Sequence, residues 1–156
     1  MRILGIDCGT ERTGYGVIES DGKRHAAIAF GVFKTNAREP MADRLCVIAR
    51  GLREIIAEHR PDAAVIEEVF VSKNTQSALK LAQVRGVAMV MAREALVAVH
   101  EYSPREIKMA VVGYGNAEKS QVQMMVKALL GLDAAPPEDA ADALAAAICR
   151  ATMRLL

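Results

Sequence analysis

Tryptophan is absent, and the aromatic complement is three Tyr and three Phe. Stacking bases on an aromatic platform is therefore excluded as a general mode of nucleic-acid binding. Cysteine is scarce too. Cys8, Cys46 and Cys149 are odd in number and lack metal-ligand spacing. That excludes a disulfide framework and a structural zinc site, and the expectation is buried free thiols in a reducing cytosol. Neither sign of charge dominates, with Lys plus Arg at 20, Asp plus Glu at 19 and a net charge of +1. Bulk charge thus does not mark a polyanion binder, and any nucleic-acid contact must come from basic residues gathered on one face. No apolar run has membrane-spanning length, and no basic-then-apolar leader opens the chain. The expectation is a soluble, cytoplasmic protein without a membrane partner. Internal repeats and low-complexity linkers are also missing.

What is there suffices for one domain over residues 1–156, 52% hydrophobic and 25% charged. Arg2 to Asp7 is a short apolar strand that ends in a carboxylate. Thr13 to Ser20 and Ala26 to Thr35 read as strands joined by the Asp21-Gly22 turn, where Gly tolerates positive φ. Pro40 to His59 has helical spacing, with Met41, Leu45, Ile48, Leu52, Ile55 and Ile56 on one stripe. Ala63 to Glu67 is a buried strand. Lys73 to Ala98 is a long helix, and Val97 to Tyr102 includes a fifth strand. Ser103-Pro104-Arg105-Glu106 is a capping box with Pro at the first helical position. Asn116 is expected to cap a helix from about Ala117 to Gly131, and a last helix begins near Pro137. The order is α/β, a mixed five-stranded sheet with helices on both faces.

The last helix carries the clearest anomaly. Asp139 and Asp142 stand three apart, hence on one face of an otherwise apolar Ala- and Leu-rich helix. In isolation they read as ordinary first-turn residues, kept ionised by the helix dipole. The rest of the chain supplies partners. Asp7 ends strand one and Glu67-Glu68 ends strand four, and a right-handed crossover brings those strand ends together. Alternation sends only one of Glu67 and Glu68 to a given side, and spacing alone does not choose. Two like charges ~4 Å apart repel by roughly 4 kcal/mol at an effective dielectric near 20. Such a cluster must protonate or bind a cation, and its oxygen ligands select Mg²⁺, with Mn²⁺ as a substitute. A pair of such ions activates water and stabilises a leaving oxygen in phosphodiester cleavage.

Basic residues recur at helical spacing. Lys73 and Lys80 are seven apart, Arg105 and Lys108 three apart, and Lys119 stands at a helix start. The long helix has more apolar positions (Ala78, Ala82, Val84, Ala88, Met89) than one core face requires, which leaves a patch for a second copy. The Asp7-Cys8-Gly9-Thr10 turn also resembles the first phosphate loop of the actin and hexokinase fold, but no second copy of that loop follows.

Four blocks together resemble the RuvC family of bacterial Holliday junction resolvases. They are Gly5-Ile6-Asp7-Cys8-Gly9 with Thr13-Gly14-Tyr15-Gly16; Ile66 to Phe70 through Lys73-Asn74 and Ser77 to Lys80; Ala117 to Gln123; and Asp139 to Ala145. The resemblance implies a ribonuclease-H-like fold and a homodimer that cuts opposite strands of a four-way DNA junction in recombination and repair. It implies Asp7, Glu67, Asp139 and Asp142 as catalytic, Mg²⁺-binding acids, two ions per site, and so prefers Glu67 to Glu68. It places Phe70 at the junction centre and Lys108 and Lys119 near the cut, with the RuvA–RuvB branch-migration complex as a further partner. Cys8 stands where the family commonly has Pro. Two competing expectations are a catalytically silent junction-binding module and a nuclease on structured RNA, as for the related YqgF-type proteins.

Overall fold

The computed structural model describes residues 1–69 and 74–153. Phe70 and Lys73 lie outside them. Five strands, β1 (Arg2–Asp7), β2 (Arg12–Ser20), β3 (His25–Lys34), β4 (Ala63–Glu67) and β5 (Ala98–Tyr102), form one sheet in the order β3-β2-β1-β4-β5. The first three make an antiparallel meander, and β4 and β5 add in parallel. The helices are α1 (Met41–His59), α2 (Thr75–Glu94), α3 (Pro104–Val112), α4 (Lys119–Leu129) and α5 (Glu138–Met153). This is the expected mixed sheet with helices on both faces.

The two faces have separate cores. Ile3, Ile18 and Val65 pack under α3, α4 and α5. Leu4, Ile6, Val17, Ala64 and Ile66 pack under α1 and α2. Side-chain alternation along β1 and β4 therefore assigns faces to the strand ends. Asp7 follows Ile3 and Gly5 onto the α5 side. Glu67 follows Val65 to that side, and Glu68 falls on the other.

The backbone of α5 lies very close to the sheet. A Cβ on Gly5 would stand 1.8 Å from the Ala143 carbonyl oxygen, and one on Gly14 would stand 2.0 Å from that of Asp139. Only glycine permits this approach, which seats the start of α5 against the ends of β1 and β2.

Several boundaries differ from expectation. Asn74 caps α2, accepting from the Ser77 N–H at 3.2 Å, and the helix begins at Thr75. That helix stops at Glu94 rather than Ala98, because Leu96 takes a positive φ of 62° and turns the chain into β5. Glu118 with Gln121, rather than Asn116, forms the capping box of α4. Asn116 is still inside a turn, closed by the Ala117 N–H on the Tyr114 carbonyl. The thiols are not uniformly buried. Cys149 is buried, Cys8 partly so, and Cys46 is exposed on the side of α1 that meets α2. Among the described residues, no helix is long and apolar enough to cross a membrane.

Candidate active site

β1 and β4 are parallel neighbours with Ile6 opposite Ile66, so Asp7 and Glu67, one residue on, end side by side. α5 crosses above them. Asp7, Glu67 and Asp142 line one cleft of about 360 Å³, together with Lys108 from α3 and Lys119 from α4. Glu68 is absent from this lining and faces a smaller hollow that Cys8 and Leu81 line together with Asp7 and Glu67. The choice of Glu67 was open from spacing; it follows from the alternation of β4 once Val65 is assigned to the α5 face.

Asp139 is positioned differently. Its Oδ2 takes a hydrogen-bonded ion pair from Arg12 Nε at 2.6 Å. Asp142 Oδ2 lies 3.1 Å from Lys119 Nζ, which also pairs with Glu138. The two α5 acids are three residues apart, yet their cations come from β2 in one case and α4 in the other. Arg12 and Glu138 carried no signal in the sequence beyond adjacency to the motifs. Both partners are long-range contacts.

The electrostatics run against simple ionisation. Burial, then repulsion from Asp142, Glu67 and Asp139, pushes the Asp7 carboxyl up to about 7. Burial and then Asp142 raise Glu67, opposed by Lys108 and Lys119. Asp142 is raised as well, chiefly by burial, despite the pull of Lys119. At Asp142 burial therefore works against the helix dipole that was expected to favour ionised α5 acids. This residue sits a turn inside the helix, where the dipole field has weakened and desolvation wins. Lys119 is held above its ordinary range, first by its hydrogen bond to Glu138 and then by Asp142.

Such a set of half-buried carboxylates fits a hard divalent cation, which would supply the missing positive charge. Among the described residues, no three acids stand close enough to hold one ion as they are arranged. Arg12 and Lys119 occupy the α5 acids instead. Asp7 and Glu67 accept no side-chain hydrogen bond among the described residues.

The turn that follows Asp7 is fixed from below. Arg44, 6% exposed, sends its guanidinium to the Thr10 carbonyl at 2.5 Å and to Thr35 Oγ1 at 3.2 Å. Thr35 Oγ1 donates to the same carbonyl at 2.6 Å, and Thr13 Oγ1 to that of Gly9 at 2.8 Å. Of the other expected DNA-contacting residues, Arg105 is exposed on α3 and lies against Gly115. Lys80 is exposed on α2 and does not line the cleft.

The model of the family described as crossover junction endodeoxyribonuclease RuvC matches residues 3–150. The chain belongs to the RuvC family. It is 55% identical over 150 residues to the crossover junction endodeoxyribonuclease RuvC of Coxiella burnetii, covering 96% of this chain and 87% of that one. With the RuvC of Alkalilimnicola ehrlichii it shares 54% identity over 148 residues, 95% of this chain and 89% of the other. Among solved structures it superposes on Thermus thermophilus RuvC in complex with Holliday junction substrate with a TM-score of 0.94. The identity there is 36%, over 99% of this chain and 94% of that chain. The ribonuclease-H-like fold expected of a RuvC chain is the one observed.

Proposed function

We propose that this chain is a crossover junction endodeoxyribonuclease, a Holliday junction resolvase that hydrolyses phosphodiester bonds at symmetric positions in opposing strands of four-way DNA. The observation that carries this reading is the convergence of Asp7, Glu67 and Asp142 on one lysine-flanked cleft in a chain of the RuvC family. Residues 1–156 act as one nuclease domain, in the cytoplasm, in recombination and repair.

The catalytic acids are Asp7, Glu67, Asp139 and Asp142, and they hold Mg²⁺, or Mn²⁺ in its place, as two ions per site. When bound, these ions supply an activated water and charge stabilisation at the leaving oxygen. The chain's own residues do the rest. β1, β4 and α5 hold the acids at fixed positions. Lys108 and Lys119, at the rim of the cleft, neutralise charge that develops on the attacked phosphate. Arg105, Lys80 and Lys73 contact phosphates farther out, and Phe70 keeps the role at the junction centre that the family resemblance gives it.

Two cuts in opposite strands need two sites. The second comes from another copy of the chain, seated on the apolar groove between α1 and α2 that Leu45, Val87, Val90 and Met91 line. The RuvA–RuvB branch-migration complex is the expected partner on the junction. The test is Asp7→Asn, assayed for cleavage and for binding of a synthetic four-way junction. The reading predicts abolished cleavage with binding largely retained. Loss of binding in the same proportion as cleavage would sink the assignment of Asp7.

A further inference from the structure

The α5 acids are each committed to a cation, but the two cations differ in freedom. Lys119 is shared between Glu138 and Asp142. Arg12 has Asp139 as its one carboxylate among the described residues, bound through Nε alone. Its terminal guanidinium nitrogens make no further hydrogen bond among the described residues, and the side chain is 47% exposed. Its terminal N–H donors are therefore left for another acceptor, and a guanidinium fork can grip a phosphate bidentately.

The setting of Arg12 reinforces this. It stands directly opposite Lys34 across the β2–β3 ladder. Like charges placed opposite one another destabilise a sheet unless an anion lies between or beside them. Asp139 supplies that anion on the Arg12 side of the pair. The backbone beneath is pinned by Arg44, Thr35 and Thr13, as described above. Any rearrangement of Arg12 is therefore one of side chain, not of the loop.

We propose that Arg12 is an exchangeable counter-ion: it holds Asp139 while the site lacks metal, and passes to a phosphate of the bound DNA strand once Asp139 turns to the metal. The inference rests on the metal-nuclease reading given above. Its consequence is a coupling of opposite signs. Arg12 competes with the metal for Asp139, yet adds to DNA affinity when metal is present. A residue that merely supports the fold would weaken both.

The experiment compares wild type with Arg12→Gln and Arg12→Lys, all checked for equal melting temperature. Mn²⁺ binding to DNA-free protein is read from the electron paramagnetic resonance signal of free Mn²⁺. Junction binding is read by fluorescence anisotropy over a range of salt, in Ca²⁺ and in EDTA. Arg12→Gln is expected to bind Mn²⁺ about two- to fivefold more tightly, the scale of a partly exposed ion pair. Its dependence of log affinity on log salt should be shallower than wild type by about one in Ca²⁺ and nearly unchanged in EDTA. Arg12→Lys keeps the charge and should keep the wild-type salt slope, but without the guanidinium fork it should bind the junction more weakly in Ca²⁺. Unchanged or weaker Mn²⁺ binding by Arg12→Gln, or an unchanged salt slope in Ca²⁺, would overturn the proposal. An Asp7→Asn control that binds Mn²⁺ as well as wild type would instead overturn the metal-site reading, and the exchange with it.

Discussion

α5 and α2 have similar vocabularies and opposite fates. Both carry several Ala with scattered Leu, Met and β-branched apolar residues. α5 buries ten of its sixteen residues, α2 only Val84, Ala88 and Ala92 of its twenty. The difference lies in what they face. α5 meets strands whose glycines let its backbone come into contact, so every small side chain on that helix is used. α2 meets the sheet with one narrow stripe and leaves Leu79 and Val90, 63% and 51% exposed, pointing away from it. The lesson is that an alanine-rich helix is buried by the residues opposite it, not by its own composition. The active site follows from the first case, because close seating brings Asp142 to Asp7 and Glu67. The proposed seat for a second copy follows from the second.

The largest expected effect attacks the seating of α5. Gly5→Ala forces a Cβ into the Ala143 carbonyl. We expect a loss of about 3 kcal/mol or more in urea unfolding, at the upper end of overpacking costs. A Cβ on Gly86 of α2 meets nothing within 4 Å in the protomer. A small loss in Gly5→Ala would break the comparison.

Next is the pH dependence of the metal-free protein. Asp7 moves from 3.8 to about 7 on folding. Between those values the folded chain holds a proton that the unfolded chain has released. Stability therefore falls as pH rises from about 4 to about 7 and stays low above that. Asp7→Asn should flatten the profile and raise metal-free stability at pH 8 by on the order of 2 kcal/mol, read as a higher melting temperature. Saturating Mg²⁺ should restore wild-type stability at pH 8. A profile that rises with pH would contradict the burial and repulsion assigned to this carboxylate.

The third prediction addresses α2. Val90→Glu places a charge in the groove beside Val87 and Met91. We expect dimer dissociation to increase at least about tenfold, by sedimentation, with the monomer's melting temperature nearly unchanged. An unaffected dimer would put the second copy elsewhere. The smallest effect is at the rim of the site. Lys119 and Glu138 are both more than half exposed, so Glu138→Gln should change stability by no more than about 0.5 kcal/mol.

Several local signals in the sequence were read correctly. The Ser103 capping box, the Asp21-Gly22 turn and the apolar strand ending at Glu67 are each set by a few neighbouring residues, and each appears within a residue or two of its expected place. Asp7 and the Glu67-Glu68 strand end were legible because strand ends are local and a right-handed crossover brings them together, whereas the choice of Glu67 and the role of the α5 acids came from the family resemblance. Much of what was missed depends on contacts across the chain. Arg12 meets Asp139 over 127 positions, and Arg44 meets Thr10 over 34. The miss at Asn116 was a local one: the Ala117 N–H closes a turn on the Tyr114 carbonyl, and Glu118 with Gln121 forms the capping box. The raised carboxyl of Asp142 needed the depth of α5 in the fold, which the first-turn argument did not contain.

The most direct test of the central claim is incubation with an end-labelled synthetic four-way DNA junction, with and without Mg²⁺, beside linear duplex and a structured RNA. The account predicts paired nicks at symmetric positions on opposing strands of the junction, only with metal, and neither duplex nor RNA cut. Junction binding without cleavage in Mg²⁺ would contradict it and leave a silent binding module. Equal cutting of duplex or RNA would keep the carboxylate site and remove the junction as its substrate.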